Sequence, residues 1–184
     1  GSLLMNPNIL HDIDPKRITP TDFVAVIEIP KGSKNKYELD KETGLLSLDR
    51  ILYTSTHYPA NYGFIPRTFA DDGDPLDVVV VCAEPIHPMT LVRCYPIGVI
   101  KMLDNGRADE KIIAIPFSDP NYNGYRSVFS LPRHIYDEMS HFFMVYKALE
   151  KKDTAVDEVM DEREAVEVIE RAIASYNENF PDNK

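Results

Sequence analysis

Three carboxylates fall within six residues at Asp72-Gly73-Asp74-Pro75-Leu76-Asp77, and an apolar run, Val78 to Val81, follows directly. The glycine permits a tight turn, and the proline stiffens the chain between the acids. A strand beginning after Asp77 would hold one end of the loop still. Such a loop aims several hard oxygen ligands at one point, the donor set that suits Mg²⁺ or Mn²⁺. Asp71 adds a fourth acid alongside. Spacing separates the possible metal loops. An EF-hand loop starting at Asp72 requires glycine at its sixth place and glutamate at its twelfth, where this chain has Asp77 and Ala83. A haloacid-dehalogenase-type phosphatase carries its acidic pair after a buried strand, whereas here the strand follows the acids. An Asp-X-Asp glycosyltransferase stays open on the motif alone, but no separate nucleotide-binding domain accompanies it. An isolated Asp-Gly-Asp reads first as an acidic surface turn, and the third acid with its flanking strand weighs against that.

Other groups gain meaning only if the fold gathers them. Asp104 and Asp109 flank Asn105-Gly106, a turn signal between strands, with Lys111 two residues on. Lys36 and Glu38 share one strand face, with Glu28 before them and Arg50 after, and a cross-strand ion pair is their default explanation. Tyr58-Pro59-Ala60-Asn61-Tyr62-Gly63-Phe64 reads as core or turn packing, although a phenol also donates to phosphate oxygens. Tyr146 lies on an apolar helical stripe, and Lys147 beside it reads as compensation of the helix dipole. The five histidines have no metal-ligand spacing, and His57 reads as structural. HExxH, Walker-type Gly-Lys-Ser/Thr and Gly-x-Ser-x-Gly motifs are missing.

The elements that must position these residues divide the chain unevenly. Phe23 to Ile29 is a β-branched run, and Lys36 to Asp40 alternates in period two. The Lys41-Glu42-Thr43-Gly44 turn joins Lys36 to Asp40 with Leu45 to Arg50 as a hairpin. Asp77 to Cys82, Leu91 to Ile100 and Lys111 to Ile115 complete the strand set, punctuated by many of the 14 prolines. Two amphipathic helices follow: one on Ile135, Met139, Phe142, Phe143, Tyr146 and Leu149, started by Ser130 and Pro132, and one on Ala165 to Tyr176. Lys151 to Val159 reads as a polar loop between them. The pattern predicts one domain over residues 1–184, a small β-barrel carrying two helices. Residues 1–5 are expected to be a tag or flexible start, with Gly1-Ser2 as a cloning scar, and 178–184 a flexible tail.

Composition sets the remaining bounds. At 184 residues, 43% hydrophobic and 27% charged, the chain reads as globular. Its formal charge of −10 argues against sequence-independent nucleic-acid binding, which depends on Lys and Arg. The longest clean apolar run, Val78 to Ala83, is too short for a membrane span, and no signal peptide is visible. Cys82 and Cys94 read as buried reduced thiols in a cytoplasmic protein.

Taken in order, these pieces resemble the family I soluble inorganic pyrophosphatases. The likeness runs from about Phe23 to Leu149. It rests on Asp72 to Val78, Glu28-Ile29-Pro30, Lys36-Tyr37-Glu38, Asp49-Arg50, Tyr58 to Gly63, Lys101-Met102-Leu103-Asp104 to Lys111, and His141-Phe142-Phe143 with Tyr146-Lys147. The resemblance implies an α+β, mainly β fold: a five-stranded OB-like closed barrel with two packed C-terminal helices. It implies hydrolysis of pyrophosphate to two orthophosphates with several Mg²⁺ ions. Asp72, Asp77 and Asp109 would hold two activating ions, and Asp104 and Glu28 the additional, substrate-linked ones, with Glu38 in the metal shell through water. Lys36, Arg50, Lys111, Tyr146 and Lys147 would grip phosphate oxygens, while Tyr58 and Tyr62 line the site. Asp74 would be the general base. Such ions lower the pKa of water toward neutrality, and they let an acidic protein serve an anionic substrate. The resemblance also implies a cytoplasmic homohexamer. Two departures stand out: Val145 occupies a place where a second histidine is common, and no Trp-containing segment follows Lys151. An OB-type binding module or another Mg²⁺-dependent phosphohydrolase is the alternative. A binding module would need a basic groove with stacking aromatics.

Overall fold

The structure, a computed structural model, describes residues 8–149 and 154–183, without the side chains of 154–157. The expected flexible start at 1–5 lies outside the described residues. Among the described residues there are nine strands and two α-helices: β1 Phe23–Ile29, β2 Asn35–Leu39, β3 Leu46–Ile51, β4 Asn61–Ile65, β5 Leu76–Val80, β6 Leu91–Asp104, β7 Arg107–Ala108, β8 Lys111–Pro116, α1 Arg133–Leu149, β9 Thr154–Asp161 and α2 Glu162–Asn179.

Strands β1, β4, β5, β8 and β6 form a closed ring, because β6 pairs back onto β1. All neighbours in the ring are antiparallel except β5 and β8, which run parallel with Asp77 opposite Lys111. This is the expected five-stranded OB-like closed barrel. Its strands β1 and β8 are buried along their whole length, which is why they read as continuous apolar runs rather than alternating ones. Ring closure depends on Gly63 in β4. A Cβ there would lie 1.8 Å from the Val26 carbonyl oxygen on β1, so only glycine lets the two backbones approach.

Alternate residues of β5 and β8 feed two separate cores. Val78, Val80, Ile112 and Ala114 pack with Ala165, Val168, Ile169 and Ala172 of α2. Val79, Ile113 and Ile115 pack with Met139, Phe142, Phe143 and Tyr146 of α1. Burying each of these large side chains stabilises the fold by about 1.5–3 kcal/mol. Together they fix both helices against the ring. Asp161 caps α2, accepting from the backbone N–H groups of Arg163 and Glu164 at 3.1 and 3.2 Å.

Two sequence expectations are corrected. Tyr58 to Phe64, read as turn and packing, contains ring strand β4. The segment read as a polar loop over 151–159 becomes strand β9 from Thr154, antiparallel to β6; residues 151–153 lie outside the described residues. Its ladder shifts register between Lys101 and Met102, and such a bulge breaks the period-two signal on which sequence reading depends. Within the segment 178–184, α2 continues to Asn179, and the Phe180 ring lies 5.0 Å from Tyr176 and 5.4 Å from Phe69. Cys82 and Cys94 are free and buried, as read from their apolar surroundings. Among the described residues, no helix is long and apolar enough to cross a membrane.

Candidate active site

One end of the ring opens into a cavity of about 310 Å³ that gathers nearly every residue singled out above. Strand β5 starts at Leu76, so Asp77 emerges at its first turn outward while Asp72 and Asp74 sit in the loop before it. Asp72 stabilises that loop by accepting from the Asp74 backbone N–H at 3.0 Å. The β6–β7 turn carries Asp104 to the same place: Asn105 and Gly106 both have positive φ, 52° and 80°, as a tight hairpin requires. Asp109 and Lys111 then follow at the start of β8, beside Asp77 on the parallel neighbour. Hairpin β2–β3 supplies Lys36 and Glu38 opposite them, and β1 supplies Glu28. Helix α1 contributes Tyr146 and Lys147 from its last turn, and Tyr58 and Tyr62 form the aromatic floor, their rings 5.6 Å apart.

Charge is tightly interleaved. The Lys111 ammonium lies 3.0 Å from an Asp77 oxygen, 3.3 Å from Asp109 and 3.0 Å from the Tyr62 hydroxyl. Lys111 is 2% exposed. Burial opposes its charge, but Asp77 and Asp109 outweigh that and raise its pKa. Lys147 bridges Asp104 at 3.2 Å and Asp109 at 3.4 Å. Burial would raise Asp109, but the charges of Lys111 and Lys147 hold it below the usual carboxylate range. Asp77 is pushed up by burial, with Lys111 pulling the other way and Asp109 adding to the rise. Burial also drives Glu28 up to about 7, although it accepts from the Leu39 backbone N–H at 2.8 Å. Asp72 rises to about 6 for the same leading reason. Tyr62 is raised well above its ordinary value by burial and by the surrounding carboxylates.

The fold does not gather every expected residue. Arg50 stays outside the cavity. Its side chain is 42% exposed, and its Nε lies 3.6 Å from Asp49. Asp74 reaches only the rim, where its side chain is 57% exposed and accepts from Lys41 at 2.8 Å. Conversely, Leu10, Lys41 and Phe143 line the cavity without having been singled out as site residues. Lys41 lies in a turn whose sequence explains itself, and Phe143 belongs to an ordinary apolar stripe. Leu10 precedes every motif, so no sequence signal marked them.

Whether this lining suits divalent ions is testable on its charges. Among the described residues no three His, Cys, Asp or Glu side chains form a ready-made metal cage; ammonium groups occupy the spaces between the acids. Yet the lining holds Glu28, Glu38, Asp72, Asp74, Asp77, Asp104 and Asp109 against only Lys36, Lys41, Lys111 and Lys147. The rise at Glu28, Asp72 and Asp77 reflects desolvated carboxylates that lack full counter-charge. Hard oxygen donors in excess over cations are the donor set for Mg²⁺ or a similar ion. The residues present fit such ions.

Comparison with known proteins agrees with this geometry. The sequence pattern described as Inorganic pyrophosphatase matches residues 25–177. The chain is 47% identical over 174 residues to soluble inorganic pyrophosphatase 2 of Chlamydomonas reinhardtii, covering 95% of this chain and 91% of that one. It is 46% identical to the inorganic pyrophosphatase of Aquifex pyrophilus, over 90% of this chain and 95% of the other. Among solved structures, the inorganic pyrophosphatase from Thermus thermophilus superposes with a TM-score of 0.86 at 35% identity, covering 92% and 99% of the two chains. With a ring, a cavity and a sequence that all agree, this chain belongs to the inorganic pyrophosphatase family and is an enzyme.

Proposed function

We propose that the chain hydrolyses inorganic pyrophosphate to two orthophosphates in a Mg²⁺-dependent reaction, with Asp74 as general base. The observation that carries this reading is a cavity in which seven carboxylates outnumber the four lysines beside them. Asp72, Asp77 and Asp109 would hold two activating Mg²⁺ ions; Asp104 and Glu28 would take the additional ones, and Glu38 would act through water. When bound, such ions lower the pKa of water toward neutrality and offset the charge of pyrophosphate. Asp74, in the loop beside Asp72 and Asp77, would accept the proton of the attacking water, a role that requires it to exchange Lys41 for that water. Lys36, Lys111 and Lys147 are point charges for phosphate oxygens, and Tyr146 donates a hydrogen bond. Tyr58 and Tyr62 order this wall. Lys111 exchanges a carboxylate partner for a phosphate oxygen as the site loads. Arg50, outside the cavity in this structure, would have to swing in to reach the substrate, where a guanidinium binds two oxygens at once. Phosphoryl transfer needs chiefly such positioning and charge stabilisation.

The family likeness extends the proposal to a cytoplasmic homohexamer. Leu45, Leu48, Ile51 and Tyr53, between 55% and 79% exposed on and beside β3, supply apolar surface for assembly. A nucleic-acid-binding module is disfavoured, because the cavity presents acids where a basic groove is needed. Phosphate release from pyrophosphate is the direct test: activity should require Mg²⁺ and vanish in excess chelator. Full activity in chelator would refute the metal reading.

A further inference from the structure

Directly upstream of the acidic loop lies a buried polar knot that the chemistry above leaves without a role. Arg67 is 6% exposed, and its φ of 56° places it in the left-handed region that side chains rarely enter. Two segments distant in sequence meet on it. Its backbone N–H donates to the Leu10 carbonyl at 3.1 Å, and its Nη1 donates to the His11 carbonyl at 2.6 Å. Its Nη2 donates to the Asn183 carbonyl, and the guanidinium lies 5.0 Å from the centre of the Tyr176 ring. Carbonyls and an aromatic face thus hold a buried cation.

The next two residues tie the same base. Thr68 Oγ1 accepts from the Leu76 backbone N–H at 2.9 Å, joining the two legs of the loop. The Phe69 backbone N–H donates to the Ala172 carbonyl of α2 at 3.0 Å, and the Phe69 ring packs against Phe180. Beyond this base, Asp71, Asp72, Gly73 and Asp74 are exposed, and their acids repel one another. A loop of like charges at the surface keeps a fixed aim only if its legs are held. Leu10, bonded to Arg67, itself lines the catalytic cavity.

We infer that Arg67 is the positioning residue of the acidic loop. It touches no substrate. Its guanidinium fork locks the upstream leg to residues 10–11 and 176–183, so that Asp72 and Asp77 keep their mutual geometry. A lysine has the charge but not the planar fork that spans two carbonyls. The inference rests on the reading of Asp72 and Asp77 as metal ligands, and Mn²⁺ binding followed by electron paramagnetic resonance separates the two. The parent chain should bind Mn²⁺. Arg67→Lys should fold by circular dichroism yet bind Mn²⁺ about tenfold more weakly, the low end of what loss of an outer support costs a metal site. Its turnover should return toward the parental value at saturating Mg²⁺, with the required Mg²⁺ shifted by the same factor. Phe180→Ala, which removes ring contacts to Phe69, Tyr176 and His11 but none of the hydrogen bonds of Arg67, should shift both in the same direction by less. A purely structural Arg67 would lower the melting temperature and leave Mn²⁺ affinity unchanged. That result in folded Arg67→Lys overturns this inference alone. A parent chain that binds no Mn²⁺ overturns it together with the metal reading.

Discussion

Replacing Lys111 by methionine separates its observed role as counter-ion from its proposed role as phosphate ligand. Methionine keeps the length and apolar stem but removes the charge. In the parent, the ammonium sits 3.0 Å from Asp77, 3.3 Å from Asp109 and 3.0 Å from the Tyr62 hydroxyl. Its side chain is 3% exposed. Breaking one partner out of a buried ion pair costs about 3–5 kcal/mol, because a desolvated charge is left behind. The low end applies here, about 3 kcal/mol, since the Asp77 side chain is 26% exposed and Asp109 keeps Lys147 at 3.4 Å. For a domain of this size each kcal/mol moves the melting temperature by about 2–4 °C, so a fall of roughly 6–12 °C is expected in metal-free buffer. Mg²⁺ restores counter-charge to the same carboxylates, so the deficit should shrink in millimolar Mg²⁺. Turnover should stay depressed even then, because the phosphate contact is gone. The assay is thermal unfolding by circular dichroism with chelator and with Mg²⁺, beside phosphate release. An equal deficit in both buffers would refute the assignment of Asp77 and Asp109 as metal ligands. No deficit in either would refute the desolvated pair.

Asp74→Asn should keep the fold and most Mg²⁺ affinity while turnover falls about 10²–10⁴-fold, the range for losing a general base. Asp77→Asn should instead weaken metal binding, so that added Mg²⁺ recovers part of its activity; the opposite rescue pattern in a Mg²⁺ titration would reverse the two roles. Arg50→Ala should lower turnover strongly and Arg50→Lys should restore it only in part, since a bidentate contact is lost. Parental rates in Arg50→Ala would leave it as a residue outside the cavity beside Asp49. Light scattering at micromolar protein should return a hexameric mass, and a monomeric mass would contradict the proposed assembly.

The parts of the fold legible in the sequence are those where one local signal dominates. The continuous apolar runs at Phe23 to Ile29 and Lys111 to Ile115 are buried on both faces in the ring, and both helices carry a clear apolar stripe. Strand β4 was hidden because its signal is tertiary. Tyr62 and Gly63 make sense only once β1 passes within contact distance. Strand β9 was hidden by the register shift opposite Lys101 and Met102. The site was legible in the same uneven way. Three acids in one loop can be seen in one dimension. Asp104 and Asp109 looked like a hairpin turn, which they are, and only the parallel pairing of β5 with β8 brings them beside Asp77. Arg67 bore no signal at all, because a single arginine before an acidic loop says nothing until the segments that bind it are in place.

The interleaving of lysines with acids resolves an apparent conflict between a chain of net charge −10 and an anionic substrate. Without divalent ions the lysines of this cavity would still leave an excess of carboxylate, and pyrophosphate would be repelled. Carboxylates without lysines would repel one another at the distances that Asp77 and Asp109 share around Lys111. Lys111 and Lys147, each set between two acids, therefore hold those acids together, and in the proposed reaction each would turn to a phosphate oxygen once divalent charge arrives. This requires that the lysines stay protonated when buried, and the raised pKa of Lys111 meets that requirement. It also requires that the acids keep their geometry while they change partners. That duty falls to the rigid elements beneath them: the parallel β5–β8 pair under Asp77 and Asp109, the tight turn under Asp104, and the tied base under Asp72.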